Sequence, residues 1–208
     1  MGEIVSATWR TARRPSAEGE GGFTLIELLV VLLIIGILLA IAIPTYLAIT
    51  NGASDTAAQT DLQTGLTAAK TYYMQQHQSY VGICSSSPGC GNATNGGFAA
   101  IGTGLSTVSG VVSSNGPHVV SLDAVSSDEI FLTALGQGSP NCWGIADITA
   151  PTASGVLGEP SSFVGTIYFE EPGSGGSLST SCQAGHFVSS SRPAGLLWSL
   201  NGFSSVHA

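Results

Sequence analysis

Between Phe23 and Ile43 the chain runs FTLIELLVVLLIIGILLAIAI, 21 residues of which only Glu27 is charged. At about 1.5 Å rise per residue, a helix of that length spans roughly the 30 Å hydrocarbon core of a bilayer. A carboxylate inside such a segment is expensive, and more so unpaired, so its presence implies a waiting partner. No fold that leaves this run in water is sustainable. It must meet lipid, or other copies of itself.

What flanks the run gives it a direction. Residues 1–22 have no apolar periodicity and are rich in small and chain-breaking residues, so they read as a leader outside the fold. Arg10, Arg13 and Arg14 lie close before the helix start. By the positive-inside rule they keep this end in the cytoplasm and send the C-terminal bulk across the membrane. Beyond the run the only basic residues are Lys70 and Arg192, and the formal net charge is −8. A nucleic-acid groove needs a basic face that this composition does not offer. Cys84, Cys90, Cys142 and Cys182 all follow the run, and an even number in a Gly/Ser-rich exported segment reads as two disulfides. Four cysteines allow three connectivities; the expected one is Cys84–Cys90 with Cys142–Cys182. Two plainer readings compete: a secretory signal ending at Ala40-Ile41-Ala42, and an uncleaved single-span anchor. The run is longer than a signal core, and neither reading explains Glu27.

Gly22-Phe23-Thr24-Leu25-Ile26-Glu27-Leu28 resembles the processing site of type IV pilins and the related pseudopilins, the class III signal family. The resemblance implies that a prepilin peptidase cuts between Gly22 and Phe23 and methylates the new amine of Phe23. It also implies assembly on an inner-membrane platform into a homopolymer. The mature protein is then a single-pass membrane protein before assembly, with its head outside, and part of an extracellular filament afterwards. Gly36 and Pro44 sit where helices of the family carry a glycine and a proline. Independently, Pro44 removes one backbone donor and clashes near Ala40, which predicts a kink or a melted turn between Gly36 and Pro44. The pairing of Glu27 also has a physical reading. Cutting at Gly22 creates a cation four residues from Glu27, and the two charges can neutralise one another between neighbouring copies in a low-dielectric core. Apolar helices alone slide past each other; one buried polar pair specifies the register.

The expected fold class is α+β: a long N-terminal helix packed on a small antiparallel sheet. Residues 23–51 form the membrane and assembly half of the helix, 52–78 an amphipathic half, and 79–208 a β-rich head. In the amphipathic half Ala58, Leu62, Leu66, Ala69 and Tyr73 recur at helical steps and predict the face that meets the sheet. Strands are expected at His118–Val125, Glu129–Leu135, Cys142–Thr149, Thr166–Glu170 and His186–Ser190.

No nucleophile elbow, HExxH, P-loop or calcium-binding helix-loop-helix pattern is present. No C-x-x-C pair or close histidine spacing supports a metal, and no cofactor is expected. The leading expectation is a structural subunit of a type IV pilus, acting in adhesion, motility or surface contact. A type II secretion pseudopilin, a minor pilin or a DNA-uptake pilin are the alternatives within the family.

Overall fold

The computed structural model describes residues 22–83, 98, 101–137, 141–152, 156–173, 182–188 and 195–206. The chain divides into two compact units, Met1–Pro44 and Thr45–Ala208. One helix, α1 (Leu25–Gln75), begins in the first and ends in the second.

In the first unit α1 is apolar on every side. Each large hydrophobic side chain from Phe23 to Ile43 is between 45% and 86% exposed in the single chain. By length and composition this stretch can cross a membrane. Gly36 and Pro44, where a kink or a melted turn is expected, lie within one continuous helix.

In the second unit the same helix turns amphipathic and lies on a six-stranded sheet. The strands are β1 (Ser106–Ser109), β2 (Val119–Ala124), β3 (Glu129–Leu135), β4 (Cys142–Ile148), β5 (Gly165–Glu171) and β6 (Leu197–Ser199), adjacent in that order. β2 to β6 form an antiparallel meander, while β1 runs parallel to β2 at the edge. Four expected strands are thus present as β2 to β5. The fifth is not: His186 closes a 3-10 turn, Ala184–His186, and the last two residues of the expected strand lie outside the described ones. β1 and β6 lacked a sequence signal because each has at most four residues, too few for alternation to show.

Ala58, Leu62, Leu66 and Ala69 are buried as their spacing predicts, with Ala68 and Tyr72 beside them. They pack with Val120, Leu122, Ile130, Leu132 and Ile145. Tyr73, expected in that face, is only half-buried and lies against Tyr80 with ring centroids 4.7 Å apart. Gly65 permits the close approach, since a β-carbon there would stand 2.9 Å from Leu132 Cδ2. The helix stops because the chain passes through left-handed His77 and Gln78, and the Gln78 amide donates back to the Tyr73 carbonyl at 2.9 Å.

The sheet is covered on its other face too. Phe131, Ala146, Ile148, Ile167 and Phe169 form a second core with Leu157, Ala184 and Phe187. That is why β4 is buried at all seven positions, Asp147 included, and shows no alternation of buried and exposed residues. Cys142 and Cys182 are disulfide-bonded across this layer, with Cα atoms 5.3 Å apart. Cys84 and Cys90 lie outside the described residues.

Gly144 pairs with Phe169 across β4 and β5, and the ring occupies the space a side chain would take. A β-carbon at Gly144 would come within 2.1 Å of it. Gly144→Ala is therefore expected to lower the stability of the head by roughly 1–3 kcal/mol through overpacking. The urea midpoint of the detergent-solubilised chain measures this; an unchanged midpoint would mean that Phe169 swings aside freely.

Candidate functional site

Gly22, Phe23 and Thr24 precede the first helical residue, and all three are exposed. Phe23, at 86% exposure, is the most open large apolar side chain among the described residues. The Gly22-Phe23 linkage is thus exposed and lies directly before the helix.

Thr24 starts the helix as its cap. Its amide and its hydroxyl both donate to Glu27 Oε2 at 2.8 Å, and the Glu27 amide donates back to Thr24 Oγ1 at 3.3 Å. This is a capping box, in which the first and fourth residues satisfy each other's otherwise orphaned donors. Its signal, Thr-x-x-Glu ahead of an apolar run, stands in the sequence and was not part of the reading above. Both bonds received by the Glu27 carboxylate end on Oε2. Among the described residues Oε1 takes part in neither bond, and Glu27 is exposed.

The charges of the head half of α1 are arranged differently. Asp55 accepts from Trp143 Nε1 at 3.1 Å, Asp61 meets His118 Nδ1 at 3.0 Å, and Lys70, the chain's only lysine, meets Asp147 Oδ1 at 3.1 Å. Asp147 is almost fully buried. Its carboxylate also accepts from the Tyr80 hydroxyl at 2.7 Å and from Thr166 Oγ1 at 2.6 Å. A buried carboxylate needs each oxygen partnered in this way. Burial, and then the hydrogen bond to Asp147 and its charge, push the Tyr80 phenol well above its ordinary range, so it stays a donor. This hub ties α1 to β4 and β5. Sequence spacing could not have revealed it, because Lys70, Tyr80, Asp147 and Thr166 are far apart in the chain.

A family model, the prokaryotic N-terminal methylation motif, matches residues 19–43. That range contains Gly22, Phe23, Thr24, Glu27 and Gly36. The chain is also 44% identical over 55 residues to the type IV major pilin protein PilA of Myxococcus xanthus (strain DK1622). The match covers 26% of this chain and spans only 25% of that relative's length. No solved structure matches the chain. The N-terminal end of the chain thus carries the methylation motif and is similar to a type IV major pilin, and a long helix on a mostly antiparallel sheet is consistent with a pilin fold.

Proposed function

We propose that this protein is a structural subunit of a type IV pilus, made as a membrane-anchored precursor and polymerised through α1. The observation that carries the reading is the juxtaposition of an exposed Gly22-Phe23 linkage with a capped Glu27 at the head of an uncovered apolar helix. Cutting that linkage leaves a free amine at Phe23, which the peptidase then methylates. Glu27 of one copy accepts from the amine of the next. The capping box prepares the carboxylate for this role. It holds Oε2 and satisfies the helix start where no water is available, while Oε1 stays open to the neighbour.

Membrane insertion and polymerisation solve the same problem in succession, because lipid tails and neighbouring helices are equally apolar covers for Phe23 to Ile49. Gly36 and Pro44 mark the point where α1 yields, by kinking or unwinding, when the filament is loaded along its axis. The head needs no catalytic constellation for this role. The similarity to a major pilin favours a pilus over a secretion pseudopilus.

The test is an intact mass with N-terminal sequencing on filaments sheared from cells. The expected product starts at N-methylated Phe23, carries the Cys142–Cys182 bridge, and is abundant in the sheared fraction. Recovery only in membranes, with residues 1–22 attached, would overturn the reading.

A further inference from the structure

Four asparagines of this chain are followed directly by glycine: Asn51, Asn95, Asn115 and Asn201. That dipeptide is chemically unstable wherever its backbone is free to bend. Glycine has no β-carbon to shield its own nitrogen, so the nitrogen can reach the carbonyl carbon of the asparagine side chain. The sequence makes the four alike; the fold separates them. Asn95 lies outside the described residues. Asn51 is inside α1, where its backbone is held in the helix and the Gly52 amide belongs to the helical hydrogen-bond ladder. Asn115 and Asn201 stand outside every helix and strand, and both are exposed. Among the described residues, neither the Gly116 nor the Gly202 amide donates a hydrogen bond, and neither asparagine side chain has a partner.

Each of these two junctions is a free joint between fixed flanks. Ahead of Asn115, fully buried Ser114 donates its amide to the Cys182 carbonyl at 3.1 Å. Behind it, the Gly116 carbonyl accepts from the Val119 amide at 3.3 Å, and His118 meets Asp61 of α1 at 3.0 Å. Ahead of Asn201, β6 pairs with β5, and the Asn201 amide donates to Ser199 Oγ at 3.0 Å. Behind it, Gly202 has a φ of 103°, a backbone that favours glycine. Phe203 follows, buried edge-on against Trp143 and Tyr168, and Trp143 in turn donates to Asp55 of α1. Both joints therefore stand just ahead of a tie between α1 and the rest of the head.

We infer that Asn115 and Asn201 are self-modifying sites, converted by water to aspartate and isoaspartate without an enzyme, while α1 protects Asn51. The glycine nitrogen gives up its proton and bonds to the side-chain carbonyl carbon of the asparagine. The bond from that carbon to the side-chain nitrogen breaks, and ammonia leaves with the proton, so a cyclic imide remains. Water then adds to either carbonyl of the ring. Opening one way gives aspartate; opening the other gives isoaspartate, in which the main chain is longer by one methylene. The sum is amide plus water to acid plus ammonia, with no oxidant or reductant. At Asn51 the Gly52 amide is already bonded, so ring closure there must wait for a local opening of the helix. A longer main chain at Asn115 shifts His118 against Asp61, and at Asn201 it shifts Phe203 against Trp143. The head thus carries a slow clock that adds negative charge and loosens its hold on α1. This inference goes beyond the filament reading and does not depend on it.

The experiment holds the full chain in detergent at mildly alkaline pH and follows each asparagine by peptide mass spectrometry, with fragmentation that separates the two acid isomers. Asn115 and Asn201 should each convert at least about tenfold faster than Asn51 in the same sample. Isoaspartate should accompany aspartate at both. A site that converts no faster than Asn51 is overturned, and aspartate without isoaspartate would mean direct hydrolysis and defeat the ring step. Asn115→Gln with Asn201→Gln keeps both amides but requires a larger, slower-forming ring. After equal incubation the unsubstituted chain should show a lower urea midpoint than when fresh, and the glutamine pair an unchanged one. An equal fall in both would overturn the loosening.

Discussion

Cells producing Glu27→Ala in place of the native protein should insert it and remove residues 1–22 normally, yet yield roughly a hundredfold less sheared filament. An amine left without its acid in a low-dielectric core is strongly unfavourable, whereas the monomer in the membrane loses much less. Alanine also removes the capping box, so it does not by itself separate charge from helix start. Glu27→Gln does. A glutamine can still accept from the Thr24 amide and hydroxyl as Oε2 of Glu27 does, but it carries no charge. Failure of both variants, with Thr24→Ser assembling normally, assigns the defect to the charge. Assembly of Glu27→Gln at native yield would reassign Glu27 to capping and end the pairing account.

The second large effect concerns the head. Cys142→Ala with Cys182→Ala opens a bridge that spans 40 residues, for which chain-entropy arguments give about 4 kcal/mol. Both cysteines are fully buried, and the bridge anchors the layer that carries Ala184 and Phe187 onto β4. Its loss should therefore uncover the second core first. The expected result is a urea midpoint markedly below that of the disulfide-bonded head, together with cleavage by added protease near residues 156–188 before the helix-facing core opens. A midpoint unchanged within error would mean that packing alone holds that layer.

How much of this was legible beforehand follows from the range of the forces involved. The apolar run, Glu27 and the Gly22-Phe23 linkage lie within a few residues of one another, and their physics is local. β2 to β5 were legible for the same reason: each has six or seven residues, enough for an apolar or alternating pattern to show. The capping box was equally local and stood in the letters Thr24-Leu25-Ile26-Glu27. The expected strand at His186 failed because Gly185 and His186 lie in a tight turn whose apolar neighbours, Ala184 and Phe187, are buried by tertiary packing rather than by strand pairing.

By itself the sequence determined that the chain has a helix of membrane length with an acid at its head, a helix-on-sheet head, and four cysteines that all follow the apolar run. Those properties follow from hydropathy, period and charge counted along the chain. Only the tertiary structure decided that the sheet is covered on both faces, that Lys70 and Tyr80 converge on Asp147, and that the three charges in the head half of α1 all turn to the head. Those are pairings between residues far apart in the chain, and no local pattern encodes which distant partner a side chain will meet.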